Sequence, residues 1–168
     1  MRSATAAEET PWGIAVCEKR RRDVGADSTV GGHYASAGLK GLAAARAIGL
    51  LSYRGADGYN RTQQDTEEAP VQHRASTYQQ YQGEKLCRRY NAYSYYAILD
   101  AFDTHDVGRG RGGVAAALGG IRARTLVVGI TTDIIFTPRE MRELHGQIPG
   151  RLYREIDSPF GHDGFLVE

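Results

Sequence analysis

Two short apolar runs near the end of the chain, Thr125-Leu-Val-Val-Gly-Ile130 and Leu152 to Ile156, stand apart from the longer stretches of helical periodicity before them. Runs of this length, bounded by turn residues, predict two strands, near Leu126 to Ile130 and Leu152 to Ile156, with a short helix from Pro138 to about His145 between them. Upstream, Pro11 to Arg22 predicts a helix with proline in its first turn and Trp12, Ile14, Ala15 and Val16 as its apolar stretch. Gly25 to Gly38 is rich in turn residues and predicts a loop. Leu39 to Tyr53 predicts a second helix, close-packed through Leu42, Ala45, Ile48, Gly49 and Leu51. The polar stretch Gly55 to Arg74 predicts a connection, and helices resume from about Ser76 to Arg89 and from about Ala92 to Phe102. Asp103-Thr-His-Asp106 predicts a helix-terminal loop rather than a metal cluster, and Arg109-Gly-Arg-Gly-Gly113 a turn into the short helix Val114 to Leu118. The pattern is therefore α/β with few strands: a mostly helical part over 11–106, then strand, Asp, helix, strand and His over 107–168.

At 168 residues the chain is long enough for one core. A net charge of +1 supplies no global field for nucleic acid or an anionic membrane, which points to a small-molecule partner or another subunit. Cys17 and Cys87 lack a C-x-x-C context and predict small thiols packed on helices, with no zinc site. The start has no apolar stretch suited to a signal peptide and no window approaches a membrane span, so a cytoplasmic location is expected. The sequon Asn60-Arg-Thr62 is then a chance match. Lys19-Arg-Arg-Arg22 complements a helix dipole, and with the RGRGG turn gives only weak support to RNA binding. Tyrosines at 78, 81, 90, 93, 95 and 96 predict a helical lid or a subunit interface, their hydroxyls at its wet edge. On the residues alone, Arg46 reads as a snorkelling or ion-paired side chain; Tyr53, two helical turns on, points from the same face.

The order strand, Asp133, helix, strand, His162 is that in which an α/β-hydrolase delivers the acid and base of its triad. The serines are Ser3, Ser28, Ser36, Ser52, Ser76, Ser94 and Ser158, and none lies in a G-x-S-x-G elbow. The chain is expected to be the C-terminal portion of one catalytic domain.

Several segments together resemble one family. Arg109-Gly-Arg-Gly112, Thr125-Leu-Val-Val-Gly-Ile-Thr-Thr-Asp133 and Ile156-Asp-Ser-Pro-Phe-Gly-His-Asp-Gly-Phe-Leu166 are similar to the C-terminal half of homoserine O-acetyltransferases, of the α/β-hydrolase superfamily. Gly41-Leu-Ala-Ala-Ala-Arg-Ala-Ile-Gly-Leu-Leu-Ser-Tyr-Arg54 resembles the family's substrate-lining helix. Tyr81-Gln-Gly-Glu-Lys-Leu86 through Asn91-Ala-Tyr-Ser-Tyr95 resembles its lid. The resemblance implies a partial α/β-hydrolase fold: the last two sheet strands with their helices, plus the helical lid, without the early strands and the elbow. It implies acetyl transfer from acetyl-CoA to L-homoserine through an acyl-serine in methionine biosynthesis, with acetyl-CoA as donor substrate and no cofactor. It further implies Asp133 and His162 as catalytic residues, Asp163 for the amino group of homoserine, Arg46 for its carboxylate, Tyr53 as a further contact, and a homodimer through the lid helices. The chain alone is expected to be inactive. Alternatives in the same family are a succinyl donor or a serine acceptor. Outside it stand a generic esterase half, which needs no amino-acid clamp, and a non-catalytic dimerisation fragment.

Overall fold

A computed structural model describes residues 10–66, 68 and 71–167. In chain order the elements are α1 (Pro11–Gly25), α2 (Leu39–Tyr53), α3 (Ala56–Gln63), α4 (Arg74–Cys87), α5 (Ala92–Asp103), α6 (Val114–Gly119), β1 (Thr125–Ile130), α7 (Pro138–Gln147), β2 (Arg151–Ile156) and α8 (Gly164–Val167). Two 3-10 turns, Val30–Gly32 and Gly161–Asp163, complete the list. Contacts divide the chain into two compact units, one built from 53–58 and 104 onward, the other from 11–52 and 59–103.

The unit with both strands has the architecture that the two apolar runs predict. β1 and β2 pair in parallel, Leu126 opposite Leu152 and Ile130 opposite Ile156, and α7 makes the crossover. Because successive strand residues face opposite ways, Val127 turns into a core with Leu118, Phe136, Met141 and Ile148. Leu126 and Leu152 face the other way and stay 57% and 56% exposed. Thr137 caps α7 by accepting from the Glu140 amide, while the Glu140 carboxylate accepts from the Thr137 amide at 2.8 Å, and Pro138 follows at the first helical position. That cap fixes where α7 begins, and hence the length of the loop that carries Asp133.

The helical unit packs Val24, Leu42, Ala45 and Ala92 into a second core. Neither cysteine of this unit forms a disulfide: Cys17 is buried, and Cys87 is half-buried against the second core, where burial pushes its thiol pKa up. The start of α2 is satisfied from a distance: Asp27 accepts from the Lys40 and Gly41 amides at 2.9 and 3.0 Å and from the Thr29 hydroxyl at 2.7 Å. These bonds, those from Thr29 first, hold the Asp27 carboxyl at a pKa of about 2. Arg21 joins α1 to α5 through Asp103 at 2.7 Å. No described helix is long and apolar enough to cross a membrane.

One expectation fails in a way that matters for the site. The stretch from Gly55 to Arg74 is not all connection, because Ala56–Gln63 is helical. Its sequence, Ala-Asp-Gly-Tyr-Asn-Arg-Thr-Gln, has little helix propensity, but the Gly58 amide donates to the Pro159 carbonyl at 3.1 Å. A Cβ at Gly58 would lie 2.6 Å from that carbonyl oxygen, so only glycine permits the approach. Tertiary contact overrides local preference there.

Candidate active site

Asp133 and His162 each sit just beyond a strand, and a network of hydroxyls stitches their loops together. The Thr131 amide continues the sheet by donating to the Ile156 carbonyl at 3.0 Å. The Thr132 hydroxyl donates to the Ser158 carbonyl at 2.6 Å and accepts from the Gly161 amide at 2.9 Å. Thr131 Oγ1 accepts from the Ser158 amide, and Ser158 Oγ accepts from the Phe160 amide, both at 3.2 Å. Ser158 is fully buried and holds the loop in shape.

Within this frame, Asp133 Oδ2 lies 2.8 Å from His162 Nδ1. Asp133 Oδ1 is engaged separately, accepting from the Ile135 and Phe136 amides at 2.8 and 3.0 Å. The two amides fix the carboxylate's rotation, so the carboxylate in turn fixes the imidazole. A hydrogen bond at Nδ1 to a carboxylate selects the tautomer with its proton there, which leaves Nε2 as the nitrogen able to take a proton. The ring is walled by Phe136, Phe165 and Tyr53, with centroids at 5.3, 5.5 and 5.8 Å. His162 and Asp133 expose only 17% and 5% of their side chains, so the pair works largely away from water, where its bond is strengthened.

The base loop rests directly on the backbone of residues 53–58. Gly161 has φ +66°, and a Cβ on it would stand 2.4 Å from the Gly55 nitrogen; a Cβ on Gly55 would stand 2.2 Å from the Pro159 oxygen. Here both the left-handed conformation and the close approach require glycine. The same docking brings Arg54 to Asp163, with Nε 3.0 Å from Oδ2 in a mostly buried ion pair. Asp163 therefore stands beside the base with one oxygen against a guanidinium.

Of the residues singled out from sequence, Asp133, His162, Asp163 and Tyr53 come together in this unit. Arg46 belongs to the helical unit, half-buried in a cavity with Gln82, Lys85, Leu86 and Arg89. Sequence reasoning assigned no role to Arg54, Phe136, Phe165 or Thr132. For Arg54 a signal existed, since it follows Tyr53 directly at the end of α2; for the phenylalanines only the fold reveals that they flank the ring.

No protein-family model matches the chain. A homoserine O-acetyltransferase from Cyclobacterium marinum is 46% identical over 165 residues, which covers 98% of this chain and 47% of the relative. The solved structure of homoserine O-acetyltransferase from Bacillus anthracis superposes with a TM-score of 0.76 at 18% identity, over 96% of this chain and 47% of that one. Esterase E22 superposes with a TM-score of 0.78 at 18% identity, over 94% of this chain and 47% of its own. These structural likenesses show the fold, a partial α/β hydrolase. The chain spans about half the length of the curated relatives it matches.

Proposed function

The chain is related by descent, along nearly its whole length, to the homoserine O-acetyltransferases, and we propose that it supplies the acid, the base and part of the acceptor site of such an O-acyltransferase. The observation that carries this reading is the 2.8 Å bond between Asp133 Oδ2 and His162 Nδ1, with Asp163 and its Arg54 partner immediately beside it.

The geometry suits a two-step acyl transfer. His162 Nε2 removes a proton from an attacking hydroxyl and returns it to the leaving group, while Asp133 stabilises the imidazolium formed in between. In the first step the hydroxyl is a serine that takes the acetyl group from the acetyl-CoA thioester, releasing the thiol. In the second it is the side-chain hydroxyl of L-homoserine, which attacks the acyl-serine ester and frees the serine. The serine comes from the half of the domain that the relatives' extra length represents, together with the amides that hold the tetrahedral oxyanion.

Asp163 attracts the acceptor's ammonium through the oxygen that Arg54 does not occupy, and Tyr53 closes the ring pocket beside it. The acceptor's carboxylate calls for a guanidinium, whose fork favours two parallel hydrogen bonds, and Arg46 of the helical unit is the residue we assign to it from the family resemblance alone. A site that must bind both charged ends of an amino acid needs an anion and a cation, whereas simple ester hydrolysis needs neither.

Thiol release from acetyl-CoA in the presence of L-homoserine tests the proposal, measured for this chain alone and for this chain joined behind the first half of the Cyclobacterium marinum relative. The joined protein is expected to transfer acetyl and the single chain is not. A folded joined protein that hydrolyses acetyl-CoA equally well with and without homoserine would overturn the acceptor assignment.

A further inference from the structure

The helical unit carries a cationic cleft where α2 crosses α4. A Cβ on Gly83 would stand 2.9 Å from the Ala43 carbonyl oxygen, so the two helices pass almost backbone to backbone, and Cys87 Sγ bonds the Leu39 carbonyl at 3.2 Å farther along. Beside this crossing, Arg46, Gln82, Lys85, Leu86 and Arg89 line a cavity of about 180 Å³. Arg46, Gln82 and Leu86 are half-buried and form its floor, whereas Lys85 and Arg89 are exposed and form its rim.

Among the described residues the lining holds three cations and an amide, and none of it is acidic. The rim cations are presented on aromatic faces: the Lys85 ammonium stands 5.8 Å from the Tyr81 ring centre, and the Arg89 guanidinium 5.6 Å from that of Tyr90. Like charges gathered in a cleft repel one another and concentrate a positive potential, which an entering anion relieves. A single carboxylate needs only the fork of one arginine. Two more cations at the rim match a ligand with more negative charge and more acceptor oxygens, which is the chemistry of a phosphate or diphosphate.

We propose that Lys85 and Arg89, above Arg46, form an oxyanion subsite for the phosphate groups of the coenzyme A donor. The identity of the donor rests on the transferase reading above; the anionic character of the ligand does not.

Direct binding tests this without turnover. The full chain is titrated by calorimetry at low salt with coenzyme A, with pantetheine, which lacks the phosphates, and with inorganic phosphate. Coenzyme A is expected to bind, to weaken as salt rises, and to bind at least about tenfold more weakly to a Lys85→Gln, Arg89→Gln double variant whose circular dichroism is unchanged. Pantetheine is expected to bind much more weakly than coenzyme A. Unchanged coenzyme A affinity in the folded double variant, or equal affinity for pantetheine, overturns the subsite while leaving the acetyl-transfer assay of the joined protein to stand by itself. Inorganic phosphate binding as tightly as coenzyme A, with the same loss in the variant, overturns the donor assignment and leaves a general oxyanion cleft.

Discussion

Replacing Asp133 by asparagine keeps the shape of the side chain but reverses what it offers His162. The Ile135 and Phe136 amides both donate to Oδ1, so in Asp133→Asn they claim the amide oxygen and turn its NH2 group toward Nδ1. The imidazole must then accept at Nδ1 and carry its proton on Nε2, the wrong nitrogen for a base. A loss of kcat on the order of 10⁴ is expected in the joined protein, read from thiol release, with the thermal unfolding midpoint little changed. Gly161→Ala acts differently, since it demands φ +66° of an L side chain and drives Cβ to 2.4 Å from the Gly55 nitrogen. Urea unfolding should show a loss of about 2–4 kcal/mol. The adjacency of Asp133 and His162 was legible because it follows from chain order, each residue closing a loop after a strand. The Arg54–Asp163 ion pair was not legible, because it joins distant positions through a docking that no local pattern encodes.

At the scale of elements, the two helices whose starts are best satisfied use opposite strategies. α7 is capped within its own first turn by Thr137 and Glu140, and Thr137→Ala should cost about 1 kcal/mol in thermal or urea unfolding. α2 is capped by Asp27, twelve residues before it begins, and this makes its stability depend on pH. Because the folded pKa of Asp27, about 2, lies below the ordinary carboxylate value of 3.8, its contribution is complete above about pH 4–5 and is lost as pH falls toward 2. In Asp27→Asn that part of the acid dependence should disappear, as followed by far-ultraviolet circular dichroism or urea midpoints between pH 2 and 5. The strands were readable as short runs bounded by turn residues, and the long helices from their apolar stretches. α3 was hidden because its sequence is polar and contains Gly58, and its hold on the Pro159 carbonyl lies a hundred residues away in the chain.

For the whole molecule, the sheet is the least finished part. Parallel sheets are ordinarily covered on both faces, yet here α7 and its core cover one, while Leu126 and Leu152 leave an apolar surface on the other. Among the described residues β1 and β2 pair only with each other, and such a surface beside a strand edge of that kind favours self-association. Leu126→Lys combined with Leu152→Lys should lower the apparent mass in concentration-dependent light scattering. Association through the exposed Tyr81 and Tyr96 instead would leave that mass unchanged.

The contact of Gly55 and Gly58 with Pro159 and Gly161 also has a temporal meaning. It closes a loop of about a hundred residues, and such closures come late in folding because their entropy must be offset before any contact stabilises them. Opening of that contact would loosen the base loop without breaking the sheet, so hydrogen exchange at Gly58 and Gly161 should report brief openings that the strand amides of Val127 and Val128 do not share.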